Sequence, residues 1–305
     1  MEFSLSLSLS LSLVGCSNDV SSGKFVALSF EGDIIYSEDG IKWTNAEKLS
    51  AVYRDVCYGN GKFVVVGDYF SAYSTDGSNW KEYGVAHTNQ PKVCYGNGKF
   101  VVTDYNGKTR YSTDGINWSS LVNETNSITL QSVCYGNGKF VAAPYNTTYN
   151  AIYSDNGINW KEAAPFEIAA QWTSVCYGKG RFVAIADDGK TTYSTNGIKW
   201  SAGGELPSWD GDWRSVCYGN GKFIVIAESG QVASSVDGIN WFLIARLGVS
   251  GGDWFSVCYG DGKFVAPNIP AASSADGINW TEINFPSANW VSITYGLDSD
   301  IFGFL

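Results

Sequence analysis

Charge, basic residues and histidine are all scarce in this sequence. Charged residues make up 16% of its 305 positions, and 20 Lys and Arg face 30 Asp and Glu, which gives a formal net charge of −10. An acidic chain repels the phosphate backbone, so we expect no nucleic-acid partner. The single histidine, His87, excludes a metal centre built from several histidines. No apolar run reaches the roughly eighteen residues of a membrane-spanning helix, so no transmembrane segment is expected.

Glycine and aromatic residues are abundant by contrast. Glycine occupies 35 positions, aromatic residues make up 15% of the chain, and hydrophobic residues reach 44%. This hydrophobic content is enough to build a core, and many glycines together with many flat side chains are typical of β-structure with frequent turns. The composition therefore indicates a folded protein rich in strands.

One seven-residue word, Ser-x-Asp/Asn-Gly-x-x-Trp, recurs through the chain, and we call it the box. Its seven copies are 37 to 42 residues apart, measured from Trp to Trp. The Asp or Asn can accept hydrogen bonds from backbone N–H groups in a turn, and the Trp can pack between repeats, so we interpret the box as structural. Its Asp/Asn and Trp positions are Asp39 and Trp43, Asp76 and Trp80, Asp114 and Trp118, Asn156 and Trp160, Asn196 and Trp200, Asp237 and Trp241, and Asp276 and Trp280.

A second word, Val-Cys-Tyr-Gly-Asn-Gly-Lys-Phe-Val or a close variant, lies between the boxes. Its Asn-Gly pair is typical of a two-residue hairpin turn, because both residues of that turn need positive φ. In the repeat from Trp213 to Leu243, strands are predicted over residues 214–218, 222–227, 231–235 and 240–243. Four short antiparallel strands in about 40 residues make one blade of a β-propeller. The six copies begin at Val56, Val93, Val133, Val175, Val216 and Val257.

The two ends of the repeat array predict how the ring closes. The first repeat lacks the second word, whereas residues 290–296 form a spare first strand at the C-terminus. We therefore predict an all-β fold: a seven-bladed β-propeller of four-stranded antiparallel blades, closed by a C-terminal strand that joins the first blade. Closure removes the exposed edges of an open array. Residues 20–305 are then a single propeller domain.

The box resembles the Asp box, also called the bacterial neuraminidase repeat, with one spacer residue fewer. The resemblance covers roughly residues 20–296 and implies a β-propeller. Proteins with such repeats include glycosidases, receptors, assembly factors and lectin-like proteins, so the resemblance does not imply one function. Because Asn156 and Asn196 replace Asp in two boxes and are poor ligands for a hard cation, we expect no metal at the boxes and no cofactor.

Residues 1–19 permit two interpretations. From Ser4 to Leu13 the chain alternates Ser and Leu, which is the period of a β-strand and would allow self-assembly through that strand. The following Leu-Val-Gly-Cys resembles a bacterial lipobox, in which Cys16 would carry lipid and the preceding leader would be removed. The second interpretation predicts an extracellular or cell-surface lipoprotein.

The six cysteines of the second word occupy one position in separate copies of the repeat. Equivalent positions of different blades are unlikely to reach the Cα spacing of a disulfide, about 5.5 Å, so we predict that none of them is bridged. They are Cys57, Cys94, Cys134, Cys176, Cys217 and Cys258.

The loops of the predicted blades separate into two faces. The Asn-Gly turns and boxes lie on one face and are nearly identical between copies; the other loops differ in length and content, and we call their side the variable face. Because binding residues tend to lie on loops over a rigid scaffold, we place the candidate ligand site there. The candidates are Trp172, Trp213, Trp254, Trp290, Asp212, Asp253, Arg214 and Glu228.

The four Trp of this set share one position before the first strand, and two interpretations stay open for them. They form either an aromatic platform for a sugar or peptide, or packing between blades. The acids that follow second strands are likewise either binding residues or ordinary solvated loop residues. They are Asp68, Asp104, Asp187, Asp188 and Glu228.

Three functions compete. Resemblance to sialidases implies three arginines, a Tyr–Glu pair and an Asp acid, but only Arg54 and Arg214 of the five arginines share a first-strand position. We therefore predict no catalytic residues and no enzyme activity. The favoured function is a non-catalytic binding or scaffold module at a cell surface or in an extracellular assembly, with a glycan or protein partner. A sialidase-like glycoside hydrolase and a structural subunit of a virion or fibre are the alternatives.

Overall fold

The computed structural model describes residues 23–84, 89–123, 128–146, 150–207, 212–248 and 253–297. The predictions for the Ser/Leu segment and for Cys16 fall outside these residues. The described residues form seven four-stranded antiparallel sheets and no helix. None of them belongs to a helix that could cross a membrane. The predicted seven-bladed β-propeller is confirmed.

Each blade is one sheet, whose strands follow one another in space from the first to the fourth. Blade 1 consists of β28 (Trp290–Gly296), β1 (Lys24–Ser29), β2 (Ile34–Ser37) and β3 (Thr44–Asn45); blade 2 of β4 (Tyr53–Gly59), β5 (Lys62–Gly67), β6 (Phe70–Ser74) and β7 (Lys81–Gly84). Blade 3 consists of β8 (Lys92–Gly96), β9 (Lys99–Thr103), β10 (Lys108–Ser112) and β11 (Val122–Asn123); blade 4 of β12 (Leu130–Gly136), β13 (Lys139–Pro144), β14 (Ile152–Ser154) and β15 (Lys161–Glu162). Blade 5 consists of β16 (Trp172–Gly178), β17 (Arg181–Ala186), β18 (Thr191–Ser194) and β19 (Ser201–Ala202); blade 6 of β20 (Trp213–Gly219), β21 (Lys222–Ala227), β22 (Gln231–Ser235) and β23 (Phe242–Arg246). Blade 7 consists of β24 (Cys258–Gly260), β25 (Lys263–Ala266), β26 (Ala271–Ser274) and β27 (Thr281–Ile283).

The ring closes as predicted, because β28 pairs antiparallel with β1 in blade 1. The predicted fourth strands start too early: Trp241 belongs to the box turn, and β23 begins after it. The first strands of neighbouring blades contact one another all the way around the ring, so they line the central channel. The second strands are buried on both faces, which explains why Phe223–Ala227 is apolar without alternation.

The second word holds neighbouring blades together through its Tyr and Gly. The Tyr ring of each blade lies against the Gly of the preceding blade, so closely that a Cβ on Gly136 would be 2.0 Å from Cγ of Tyr177. The series is complete around the ring, and Gly296 with Tyr58 joins blade 1 to blade 2. Only glycine fits such an approach.

The Asn of the second word serves the turn and a contact between blades. Asn60, Asn97, Asn137 and Asn220 have positive φ, as the predicted hairpin turn requires. Their side-chain amides donate to carbonyl groups in the box of the next blade; for example, Asn137 Nδ2 lies 3.3 Å from the carbonyl oxygen of Thr195. The repeated Asn therefore has a tertiary role as well as a local one.

The boxes are hydrogen-bonded turns. In the last box, Oδ1 of Asp276 accepts the backbone N–H groups of Ile278 and Asn279, both at 2.8 Å, and these bonds hold the pKa of Asp276 well below its usual range. Oδ1 of Asn156 accepts the two equivalent N–H groups at 2.9 Å. Both residue types therefore make the turn contacts expected of a structural box.

The six repeat cysteines are free thiols, which confirms that none of them is bridged. Each packs on the facing blade; Cys57, for example, contacts the cluster that contains Val93 and Phe100. Burial raises the pKa of the Cys57 thiol well above its usual value. These cysteines are therefore protonated packing residues at neutral pH.

Candidate functional site at the channel mouth

The channel opens on the variable face, where the first strands begin. In five blades a β-bulge at this point leaves one residue of the first strand without a paired partner. These residues are Arg54, Gln131, Thr173, Arg214 and Val291. Bulges commonly turn a side chain out of a strand, and here the bulged residues line the end of the channel.

A cavity of about 480 Å³ occupies this end of the channel, and we call it the mouth. All seven blades contribute residues to the lining of the mouth, because every first strand has one end at the rim of the channel. Its lining residues are Phe30, Arg54, Gln90, Lys92, Gln131, Thr173, Arg214, Asp253, Phe255, Asn289 and Val291.

Opposite sides of the mouth differ in chemistry. Blades 7 and 1 contribute the apolar side chains of Phe255 and Val291, and Phe255 is 37% exposed. Blades 3, 4 and 5 contribute Lys92, Gln131 and Thr173. An apolar wall thus faces a wall with an ammonium and an amide, an arrangement that suits a ligand with both apolar and polar groups.

The two arginines that flank the apolar wall are each held by an acid from their own blade. In blade 2, Nη2 of Arg54 lies 3.1 Å from Oδ2 of Asp68, and the guanidinium is 4.6 Å from the centre of the Phe30 ring. In blade 6, Nε of Arg214 donates to Oε2 of Glu228 at 2.6 Å. The acids that follow second strands therefore orient both guanidinium groups and compensate much of their charge.

Lys92 differs from the arginines because it has no carboxylate within ion-pair distance in the described part of the chain. Its side chain is half-buried and lines the mouth from blade 3. Partial burial removes water from an ammonium group without supplying an opposite charge. Lys92 is therefore the uncompensated positive charge of the mouth.

The structure places the predicted polar site residues together. Arg214 and Glu228 form an ion pair, and Oδ1 of Asp212 lies 3.7 Å from Nη2 of Arg214. Asp253 lines the mouth. The four polar candidates thus belong to one part of the variable face: Asp212, Arg214 and Asp253 at the starts of blades 6 and 7, and Glu228 after the second strand of blade 6.

The predicted aromatic platform is wrong. Trp172, Trp213, Trp254 and Trp290 are at most 2% exposed, so no ring face is open to a ligand. Their rings pack between blades instead; Trp172, for example, lies 4.8 Å from the ring of Phe166. A large flat side chain at the widening between two blades fills space that a smaller residue would leave empty. The alternative of packing between blades is the one the structure supports.

The remaining predicted acids, Asp104, Asp187 and Asp188, are not among the residues that line the mouth. Asp104 is buried, and its Oδ1 accepts the backbone N–H groups of Asn106 and Lys108 within its own loop. Burial raises its pKa. Asp188 pairs with Lys190 at 2.6 Å on the surface, and burial raises the pKa of Asp187. Among the described residues, no three His, Cys, Asp or Glu side chains are grouped so that they could hold a metal ion.

All five arginines lie in the described part of the chain, and two of them, Arg54 and Arg214, line the mouth. Arg181 begins β17 next to the box face, where its guanidinium lies 5.4 Å from the ring of Tyr193, while Arg110 and Arg246 belong to third and fourth strands. The arrangement implied by resemblance to sialidases is therefore not formed by these side chains.

Sequence reasoning missed Lys92, Gln131, Phe255 and Phe30. The first three could have been found by aligning the copies of the second word, since they lie one or two residues before its Val in blades 3, 4 and 7. Phe30 follows β1 and has no repeat signal. The shared position of Arg54 and Arg214 was visible in the sequence, but its location on the channel was not.

No family model matches the chain, and no curated protein is found to be its relative. Among solved structures, YCF48 bound to D1 peptide matches with 16% identity over 88% of this chain and 90% of that chain, with a TM-score of 0.63. A streptogramin B lyase matches with 12% identity over 85% and 94%, with a TM-score of 0.65. Virginiamycin B lyase from Staphylococcus aureus matches with 10% identity over 82% and 93%, with a TM-score of 0.66. At these identities the similarity shows the β-propeller fold alone, which both a peptide-bound protein and enzymes share.

Proposed function

We propose that this protein is a non-catalytic binding module that holds an extended polypeptide segment of a partner protein in the mouth. The proposal rests on one observation: two walls of the mouth face each other and differ in chemistry. The apolar wall contains Phe255 and Val291, and the polar wall contains Gln131 and Lys92. A polypeptide offers both kinds of group, because its backbone can meet the amide while its side chains cover the apolar wall.

A protein segment is favoured over a glycan by the burial of the indoles. Stacking on a sugar needs an exposed aromatic face, and the four candidate Trp have none. The guanidinium of Arg54 lies over the ring of Phe30 and covers that face. Among the described lining residues, Phe255 is therefore the aromatic residue with an exposed ring. YCF48, a protein of similar fold, has been solved with a bound peptide, and this supports the same use of the fold here.

The proposal includes a location at a cell surface or in an extracellular assembly. For the N-terminus it includes two alternatives: lipidation at Cys16 with removal of the preceding leader, or self-assembly through residues 4–13. The alternative of a virion or fibre subunit depends on the same N-terminal residues. Intact mass of protein from its native source distinguishes cleavage and acylation from an unprocessed chain.

Binding to an array of short peptides, followed by fluorescence anisotropy on those retained, tests the proposal. Phe255→Ala removes the exposed apolar anchor and should weaken binding by about 1–3 kcal/mol, roughly 5- to 150-fold. Phe242→Ala is the matched control, since Phe242 is exposed on β23 far from the mouth. Equal affinity of wild type and Phe255→Ala would contradict the proposal, as would retention of glycans in place of peptides.

A separate measurement tests the prediction that the protein is not a glycoside hydrolase. A fluorogenic sialoside should remain unhydrolysed, because the mouth lacks a third arginine to bind the carboxylate. Turnover that disappears in Arg214→Ala would show that the protein is a glycoside hydrolase.

A further inference from the structure

Beneath the mouth the channel narrows to a second ring of side chains, called the throat. It is formed by the residue directly before the Val of each second word and by its equivalent in β28. A cavity of about 110 Å³ lies among these residues, and Lys92 lines both this cavity and the mouth. The throat residues are Asp55, Lys92, Ser132, Ser174, Ser215, Ser256 and Ser292.

Most throat side chains accept a hydrogen bond from the next blade. Oγ of Ser132 accepts the backbone N–H of Val175 at 3.1 Å, and Oγ of Ser174 accepts that of Val216 at 3.2 Å. Ser215 makes the equivalent contact. A hydroxyl has one hydrogen to donate in addition to the bonds it accepts. In the described part of the chain these three hydroxyls donate to no acceptor, so their hydrogens remain for a ligand in the throat.

Asp55 is the one carboxylate of the throat, and its oxygens are already used. Its Oδ2 accepts the backbone N–H of Val93 at 2.9 Å, and its Oδ1 accepts the hydroxyl of Ser292 at 2.7 Å. Because both oxygens are held by neighbouring blades, Asp55 serves the joint between blades 1, 2 and 3. It does not form an ion pair with Lys92.

Lys92 breaks the pattern of the ring. An ammonium has three donors and no acceptor, so at this position it cannot receive the N–H of the next blade as serine does. Arg214 also lines the throat, but Glu228 binds its guanidinium. The throat therefore presents an ammonium that pairs with no carboxylate of the described residues, several hydroxyl donors, and one carboxylate, Asp55, whose two oxygens already accept hydrogen bonds.

We infer that the throat binds a carboxylate group of the segment held in the mouth, with the Lys92 ammonium as its counter-charge and the hydroxyls of Ser132 and Ser174 as further donors. The inference rests on the proposed function for the source of the carboxylate, although the donor set itself does not depend on it. A carboxylate has two oxygens that accept several hydrogen bonds, and charge-assisted bonds to an ammonium are the stronger kind. The carboxylate can come from a C-terminus or from an Asp or Glu side chain.

Acetate is the probe for the throat, with acetamide as its neutral isostere and chloride as the ionic-strength control. Acetate should raise the Tm of the wild type above that in sodium chloride of equal ionic strength, because a ligand that binds only the folded state stabilises it. Acetamide should have no such effect. Lys92→Met should abolish the acetate effect, and Lys92→Arg should retain part of it.

Lys99→Met is the matched control. Lys99 is half-buried in the same blade, but it lies at the end of the β8–β9 hairpin that is farthest from Lys92, beside the box face. Its variant should respond to acetate as the wild type does. An acetate effect that survives in Lys92→Met, an equal effect of acetamide, or no acetate effect in the wild type would overturn the inference. None of these outcomes affects peptide binding that depends on Phe255, so the two proposals fail separately.

Peptides retained by the mouth then identify the source of the carboxylate. Each is compared with a free C-terminus, with an amidated C-terminus, and amidated with Asp as its last residue. Lys92→Met should weaken the carboxylate-bearing form by roughly tenfold and leave the fully amidated form unchanged. Equal weakening of all three forms would show that Lys92 acts on the mouth as a whole, and the carboxylate assignment would be wrong.

Discussion

Single residues of this protein carry roles that their chemistry alone does not reveal. Trp213 and Arg214 are neighbours at the start of β20, yet the indole is fully buried between blades and the guanidinium lines the channel. The bulge between Trp213 and Ser215 separates the two directions. If the register of β20 shifted by one residue at this point, the position that now packs between blades would face the channel, and the position that now faces the channel would be buried.

Trp213→Ala should lower the free energy of unfolding by about 3–5 kcal/mol, because it leaves a large cavity between blades 5 and 6. The measurement is urea denaturation followed by tryptophan fluorescence and far-UV circular dichroism. Phe242→Ala is the control, with an expected change within about 0.5 kcal/mol, since that ring is 65% exposed. A Trp213→Ala variant as stable as Phe242→Ala would mean that the indole is not a packing residue.

At the scale of the strand and turn, the second word combines a local requirement with a tertiary one. Gly138 follows Asn137 in the hairpin turn and has a φ of 74° with open space around its Cα. Gly136 ends β12 and has no room for a side chain because Tyr177 of the next blade lies against it. Two glycines separated by one residue are therefore required for different physical reasons.

Gly136→Ala and Gly138→Ala test this difference. The first should destabilise the protein by about 3 kcal/mol or more, since the added methyl group would overlap the Tyr177 ring. The second should cost about 1 kcal/mol, because only the backbone conformation is disfavoured. The comparison is made by urea denaturation of both variants, and equal losses would contradict the contact between blades.

At the scale of the whole molecule, closure of the ring joins the two ends of the described chain. β28 completes blade 1, and its Gly296 receives Tyr58 of blade 2 while Tyr295 packs against Phe25 at 4.8 Å. The contacts that hold blades together thus run without a break around the ring, and so do the boxes on one face. A change that acts on many boxes at once should affect the stability of the entire propeller.

Acid pH should act on many boxes at once and so lower the stability of the entire propeller. Burial acts to raise the pKa of the box carboxylates at Asp76, Asp114, Asp237 and Asp276, but the hydrogen bonds that they accept outweigh it and hold each pKa below the usual value. A group with a depressed folded-state pKa stabilises the fold above its unfolded pKa, about 3.9, and this stabilisation is lost as the pH falls towards the folded-state pKa. We therefore expect Tm to fall steeply below about pH 4.

The matched variant replaces these four Asp by Asn. Asn156 and Asn196 already make the same turn contacts in two natural boxes, so the variant should fold. Its Tm should depend less on pH below about pH 4 than that of the wild type. Thermal melts between neutral and acid pH provide the measurement, and identical slopes for both proteins would show that the box carboxylates do not carry the acid sensitivity.

Much of this architecture was determined by the sequence itself. Seven boxes in register, Asn-Gly turns and a spare first strand at residues 290–296 were enough to predict the number of blades, the strand pairing and the closure. These features repeat, and a repeated unit with two apolar faces has few ways to bury them other than stacking in a closed ring. The unpaired state of the six cysteines followed from the same logic.

Only the tertiary structure decided which side chains face the channel. The sequence presents Trp213, Arg214 and Ser215 as consecutive residues, and whether each is buried, lines the mouth or lines the throat depends on a bulge and on the neighbouring blades. The role of Lys92 likewise emerges only when seven first strands, far apart in sequence, are brought around one axis. A repeat pattern determines the unit that is stacked, whereas a site at the axis is formed by the positions where the copies differ.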